Sequence, residues 1–98
     1  MGRWIKAPIV DDDLLSIWKY IAQDNKEAAT RTVKEIEEMF GRLAEMPHMG
    51  RSREDFRPDL RSCPIGNYII IYRAMTESKG VSIARVFEGH LDYERYLR

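Results

Sequence analysis

A proline at position 47 divides this chain into two halves patterned for different backbones. Upstream of it, apolar residues recur every three or four positions, the spacing of one helical face. Downstream, β-branched and aromatic residues gather in short runs separated by glycine-containing turns. Proline lacks the N–H that a helix interior needs and its ring clashes with the preceding turn, so the helical half ends there. Such a chain lays helices on a sheet, the α+β plan. Its 98 residues suffice for one domain, residues 1–98, with one modest core.

The segment from Arg3 to Ile9 alternates loosely around Trp4, Ile5 and Ile9 and predicts a short first strand, which Pro8 ends or holds at a sheet edge. Leu14, Leu15, Ile17, Trp18, Ile21 and Ala22 then follow helical spacing. Asp11-Asp12-Asp13 precedes them. Three carboxylates suit the positive end of a helix dipole, and Asp11 or Asp12 is expected to be the cap rather than part of a metal site. Asp24-Asn25 breaks the pattern. A second helix is expected from about Lys26 to Met46, striped with Ala29, Val33, Ile36, Phe40 and Leu43. A tight link makes the two an antiparallel hairpin. Beyond Pro47 and Gly50, strands are predicted at Asp59 to Pro64, Tyr68 to Met75 and Val81 to Phe87. Gly66-Asn67 and Glu77-Ser78-Lys79-Gly80 are read as their turns, and Leu91 to Arg98 as a closing helical turn. The expected fold is thus an N-terminal strand and an antiparallel helix hairpin packed on one face of a small, mainly antiparallel sheet.

Sixteen basic and sixteen acidic side chains cancel. That balance argues against bulk electrostatic binding of nucleic acid, which marks basic domains. The asymmetry is mild: residues 1–46 hold 7 basic and 9 acidic side chains, residues 47–98 hold 9 and 7, so an anionic partner is better sought in the second half. One cysteine, Cys63, permits no internal disulfide and fits a reducing compartment. No leader-like or membrane-spanning apolar run occurs, so the chain is expected to be cytoplasmic, with no membrane partner.

The residues offer little for metal or nucleotide chemistry. His48 and His90 are far apart, no Cys-x-x-Cys or His-x-x-x-His spacing occurs, and the glycines form no phosphate loop, so neither metal nor cofactor is expected. Cys63 is read as a small buried thiol rather than a nucleophile. Arginine is the informative residue type. Arg51, Arg53, Arg57 and Arg61 fall within eleven positions, and every basic residue from Arg51 to Arg73 is arginine. Forked guanidinium contacts to carboxylate or phosphate favour that choice, although Glu54, Asp55 and Asp59 stand ready as local partners. In the last strand, alternation is expected to put Val81, Ile83, Arg85 and Phe87 on one face and Ser82, Ala84 and Val86 on the other. Arg85 then either pairs with an acid such as Asp92 or Glu88, or faces a phosphate or a partner carboxylate.

Several phrases of the chain go together. They are Asp13-Leu14 and Ile17 through Tyr20-Ile21-Ala22; Pro47, Gly50-Arg51 and Arg53; Pro58-Asp59-Leu60-Arg61; Tyr68, Ile70 and Tyr72-Arg73; and Ile83 with Arg85-Val86. In this order and at these intervals they resemble the ParE branch of the RelE/ParE toxin superfamily, the toxin half of bacterial toxin–antitoxin and plasmid stabilisation modules. The resemblance covers nearly the whole length. It implies a toxin that poisons DNA gyrase by binding rather than catalysis and is held inactive by a ParD-like antitoxin. Operator DNA is met only through that antitoxin. Glu88 departs from the histidine that many relatives carry before the Gly-x-x-Asp turn. The alternative activity of the superfamily is ribosome-dependent mRNA cleavage of the RelE type. It needs proton-transfer groups and cations on the phosphate, for which Arg61, Arg85, His90 and Tyr93 are the candidates. For antitoxin or target binding the candidates are Trp18, Ile21, Arg51, Arg53, Arg61, Tyr68, Ile70, Tyr72 and Arg85. A wrapping peptide needs apolar grooves and an open sheet edge, which the first helix and the strand Tyr68–Tyr72 are expected to offer.

Overall fold

The structure is a computed structural model that describes residues 2–75, 80–89 and 92–97. Among them, five strands form one mixed sheet and two α-helices pack as a hairpin against it. The order along the chain is β1 (Trp4–Lys6), α1 (Pro8–Ala22), α2 (Lys26–Glu45), β2 (Arg51–Ser52), β3 (Leu60–Ile65), β4 (Tyr68–Met75), β5 (Gly80–Glu88) and a closing 3₁₀ turn, Tyr93–Tyr96. Across the sheet the order is β1-β5-β4-β3-β2. The meander β3-β4-β5 is antiparallel as expected, whereas β1 joins β5 in parallel, with Ile5 level with Ser82.

Helix α1 begins earlier than its carboxylates suggested. Pro8 is its first residue, where the missing N–H costs nothing, and Ala7 is the cap position without a side-chain bond. The first strand therefore ends at Lys6, and Asp11 and Asp12 are not caps. Asp11 pairs instead with Lys6 across the strand-to-helix junction. The extra turn buries Val10 with Leu14 and Ile17. Helix α2 starts as its sequence asks: the Asn25 side chain accepts a 3.0 Å hydrogen bond from the Ala28 amide.

Two apolar clusters lie on opposite faces of the sheet. Beneath the helices, Phe40, Ile36 and Leu43 meet Ile70, Tyr72, Val81, Ile83 and Val86, with Trp4 edge-on to Phe40 at 5.2 Å between centroids. On the other face, Leu60, Ile71, Phe87 and Leu97 are covered by Phe56 and Tyr93. The closing turn is tied down by ring stacking of Phe87 with Tyr93 and Tyr96.

The strict alternation expected in β5 fails. Ile71 and Tyr72 are adjacent in β4, but their partners are Arg85 and Ile83, leaving Ala84 as the extra residue of a β-bulge. Val81 and Ile83 face the helices, whereas Phe87 joins the opposite cluster with Ile71, and Arg85 is level with Ile71. The bulge absorbs Ala84, so alternation counted along the sequence from Val81 is out of step by one for the residues after it, while their pairing with β4 stays regular.

Candidate functional site

Arginines organise three corners of the molecule, and the structure separates those that are committed from those that are not. The acid that Arg85 pairs with is not one of its chain neighbours but Asp13, one turn and a half into α1. Two parallel bonds of 2.9 Å join them, from Nε to Oδ2 and from Nη2 to Oδ1. The same Oδ2 accepts the Val86 amide at 3.0 Å. Strand β1 pairs with β5 only as far as Ile83, so past that point the β5 edge would be open, and the Asp13 carboxylate takes the place of a neighbouring strand. The Arg85 guanidinium also lies 4.4 Å from the Phe87 ring centre. The hydrogen bonds to Asp13 hold its charge more firmly than usual, outweighing the effect of burial.

Arg53 is buried, at 5% exposure, an unusual place for a charge. Its Nη1 donates to the Tyr93 hydroxyl at 2.8 Å, its Nη2 sits 3.2 Å from Glu94 Oε2 and its Nε 3.4 Å from Asp55 Oδ1. Phe56 lies under the guanidinium plane at 4.7 Å. Arg53 thereby clips the closing turn to the loop before β3. Arg61 has a third task. It is level with Tyr72, on the helix side of the sheet, and its Nη1 donates to the Gly50 carbonyl at 2.7 Å and to the His48 carbonyl at 3.3 Å. The Tyr72 hydroxyl completes this corner by accepting the Gly50 amide at 2.9 Å and donating to the Pro47 carbonyl at 2.8 Å. Burial raises the Tyr72 pKa above its ordinary value, so the hydroxyl keeps its donated proton.

The four residues named for phosphodiester cleavage are not gathered around one point. Arg61 lies on the helix face and Arg85 is level with Ile71 of the opposite cluster, so the sheet stands between their positions. Tyr93 is held by Arg53, and His90 falls outside the described residues. Of the binding candidates, Ile70 and Tyr72 are fully buried in the helix-side core. Strand β4 is flanked by β3 and β5, so the Tyr68–Tyr72 run presents no open edge. Trp18 is turned to α2, its indole N–H donating to Thr30 Oγ1 at 3.1 Å, and Ile21 packs on the core fringe. Tyr68 is half-buried beside a cavity of about 300 Å³ shared with Tyr20, Asn67 and Glu88. Arg51 is exposed on β2. Cys63 is buried, and burial pushes its thiol pKa up, against nucleophilic use.

Two arginines outside the list of binding candidates belong with these. Arg57 and Arg73 are exposed, and both line a cavity of about 250 Å³ on the helix-free face, together with Leu60, Ile71, Ala84 and Arg85. Arg57 was one of the clustered arginines, and Arg73 ended the all-arginine run and stood in the Tyr72-Arg73 phrase, but neither signal placed the two beside one cavity. Among the described residues no helix is long and apolar enough to cross a membrane, and no group of three metal-ligating side chains is gathered.

The geometry agrees with comparisons to known proteins. Residues 6–93 match the family model for the ParE toxin of the type II toxin–antitoxin system parDE. The chain is 32% identical to toxin ParE3 of Caulobacter vibrioides over 98 residues, covering 99% of this chain and 96% of that protein. It is 25% identical to toxin ParE1 of Mycobacterium tuberculosis, covering 98% of both. Among solved structures, the chromosomal ParDE TA system from P. aeruginosa superposes with a TM-score of 0.71 at 21% identity, over 90% of this chain and 96% of that one. A family match across most of the chain, a relative above 30% identity at nearly full length, and a helix hairpin on a small mixed sheet all agree: this chain belongs to the ParE toxin family of type II toxin–antitoxin systems.

Proposed function

We propose that this toxin acts in the cytoplasm by binding DNA gyrase, without catalysing a reaction, and is neutralised by a ParD-like antitoxin. The observation that carries this reading is the commitment of the cleavage candidates to structural work. In-line cleavage of RNA needs a proton acceptor, a proton donor and free cations converging on one phosphate. Here Arg61 closes the loop after α2 and Arg85 is neutralised by Asp13, on positions separated by the sheet. Tyr93 is engaged by a buried arginine. A rigid scaffold in which Arg61, Arg85 and Tyr93 are already engaged suits recognition by shape. The solved ParDE system from P. aeruginosa supports an antitoxin partner for a fold of this kind.

Purified toxin added to a gyrase supercoiling and cleavage assay, with a parallel ribosome-dependent mRNA cleavage assay, tests the reading. Accumulated gyrase-cleaved DNA with intact mRNA is the expected result. Cut mRNA with unaffected gyrase would reverse it and return Arg61, Arg85, His90 and Tyr93 to the centre of attention.

A further inference from the structure

We infer that the cavity between Arg57 and Arg73 is the seat of an acidic, apolar segment of the antitoxin, one carboxylate lying between the two guanidinium groups and a neighbouring apolar side chain entering the cavity. This rests on the antitoxin reading above and names the surface it uses.

The charges come first. Of the arginines around this cavity, Arg85 is neutralised by Asp13, whereas Arg57 and Arg73 form no ion pair with any of the described residues. Arg53, four residues before Arg57, has two carboxylates. The two free guanidinium groups come from different elements: Arg73 stands on β4, level with Leu60 and Ser82, and Arg57 precedes the turn that enters β3. That turn is held by Asp59 in a left-handed conformation, φ 62°.

The walls come second. Leu60, Ile71, Ala84 and Leu97 supply apolar atoms, Ala84 being the extra residue of the β5 bulge. Ile5, 57% exposed, is level with Ser82 of the cavity wall and extends the apolar surface toward the sheet edge. Tyr96 closes the other side. A volume of about 250 Å³ suits a side chain or two rather than a whole ligand. Paired arginines over an apolar floor match a carboxylate beside leucine-like side chains. A polyanion fits less well, because Glu54, Asp55 and Asp59 share the Arg57 loop, Glu94 sits in the closing turn, and the chain as a whole is neutral.

The test is NMR of the arginine Nε–Hε groups in the full-length toxin, titrated separately with the hexapeptide acetyl-Leu-Glu-Leu-Glu-Leu-Glu-amide, inorganic phosphate and a uridine hexanucleotide. The hexapeptide is expected to shift Arg57 and Arg73 at concentrations where phosphate does not. Binding should weaken at least tenfold in the R57Q/R73Q double variant and stay unchanged in R51Q; all three sites are exposed, so folding is not at stake. No shift at Arg57 and Arg73 through the millimolar range, an equal response to phosphate, or tighter binding of the hexanucleotide at this site would each overturn the inference. Should the toxin still co-purify with a ParD-like protein in that case, the antitoxin reading stands and only this surface is lost.

Discussion

Asp13 and Arg85, separated by seventy-two positions in the chain, are joined by two parallel hydrogen bonds of 2.9 Å. Because the same carboxylate also accepts the Val86 amide, one side chain fixes both the side-chain position and the free edge of β5. Removing it strands a half-buried guanidinium and an edge N–H. D13A is expected to cost about 2 kcal/mol of stability. D13N should cost less, since an amide oxygen can still take the Val86 N–H. Urea midpoints at constant slope decide this; a D13A midpoint equal to the wild type would show the pair to be ornamental.

Gly50 and Tyr72 make a second lock. The Tyr72 hydroxyl serves Gly50 and Pro47 at once, and a Cβ at position 50 would meet that hydroxyl at 2.5 Å and the Ser62 carbonyl at 2.8 Å. Y72F leaves a buried amide unpaired and should cost about 2 kcal/mol. G50A should cost more, because both obstacles belong to the sheet and cannot swing away. Denaturant melts of the two variants side by side would contradict this if G50A proved the milder.

Arg53 is expected to govern the order of the chain end. R53L retains much of the apolar packing but abandons Tyr93 and Glu94. Amides in residues 92–97 should then exchange with deuterium at least tenfold faster, while those of α2 keep their protection. Uniform acceleration across the protein would instead point to global destabilisation.

Cys63 gives a signed pH dependence. Burial raises its pKa in the folded chain, so the unfolded chain releases the thiol proton at lower pH. Stability is therefore full below the ordinary thiol pKa of about 8.5 and declines as pH rises above it. C63A should remove part of the fall in urea midpoint between neutral pH and moderately alkaline pH. Iodoacetamide should also label folded wild-type toxin far more slowly than unfolded toxin. A folded thiol as reactive as the unfolded one would refute the assignment.

The elements themselves were legible because each rests on local pattern. The α2 stripe, the Asn25 break, the Gly66-Asn67 turn and the β4 run all follow from spacing and turn chemistry, and each stands where it was expected. The start of α1 was misread because carboxylates look like caps, whereas Pro8 at the first helical position is the stronger signal. The site was less legible. Whether Arg53 or Arg57 is the buried member of one loop depends on where Tyr93 and Glu94 arrive from the far end of the chain. Likewise nothing near Asp13 in sequence announces Arg85. The two-residue β2 is too short for any period to show.

The bulge at Ala84 says something about how such a strand can change length. Take Ala84 out and Ile83 would run directly into Arg85, and their partners, Tyr72 and Ile71, are already consecutive. Alternation from Ile83 through Arg85 and Val86 to Phe87 would then be regular, with each side chain on the face it now occupies. Ala84 thus has the character of a tolerated insertion: one residue added to a central strand without re-sorting the inside from the outside. A lineage of toxins could gain or lose a residue here, in the wall of the cavity, while both cores stayed intact.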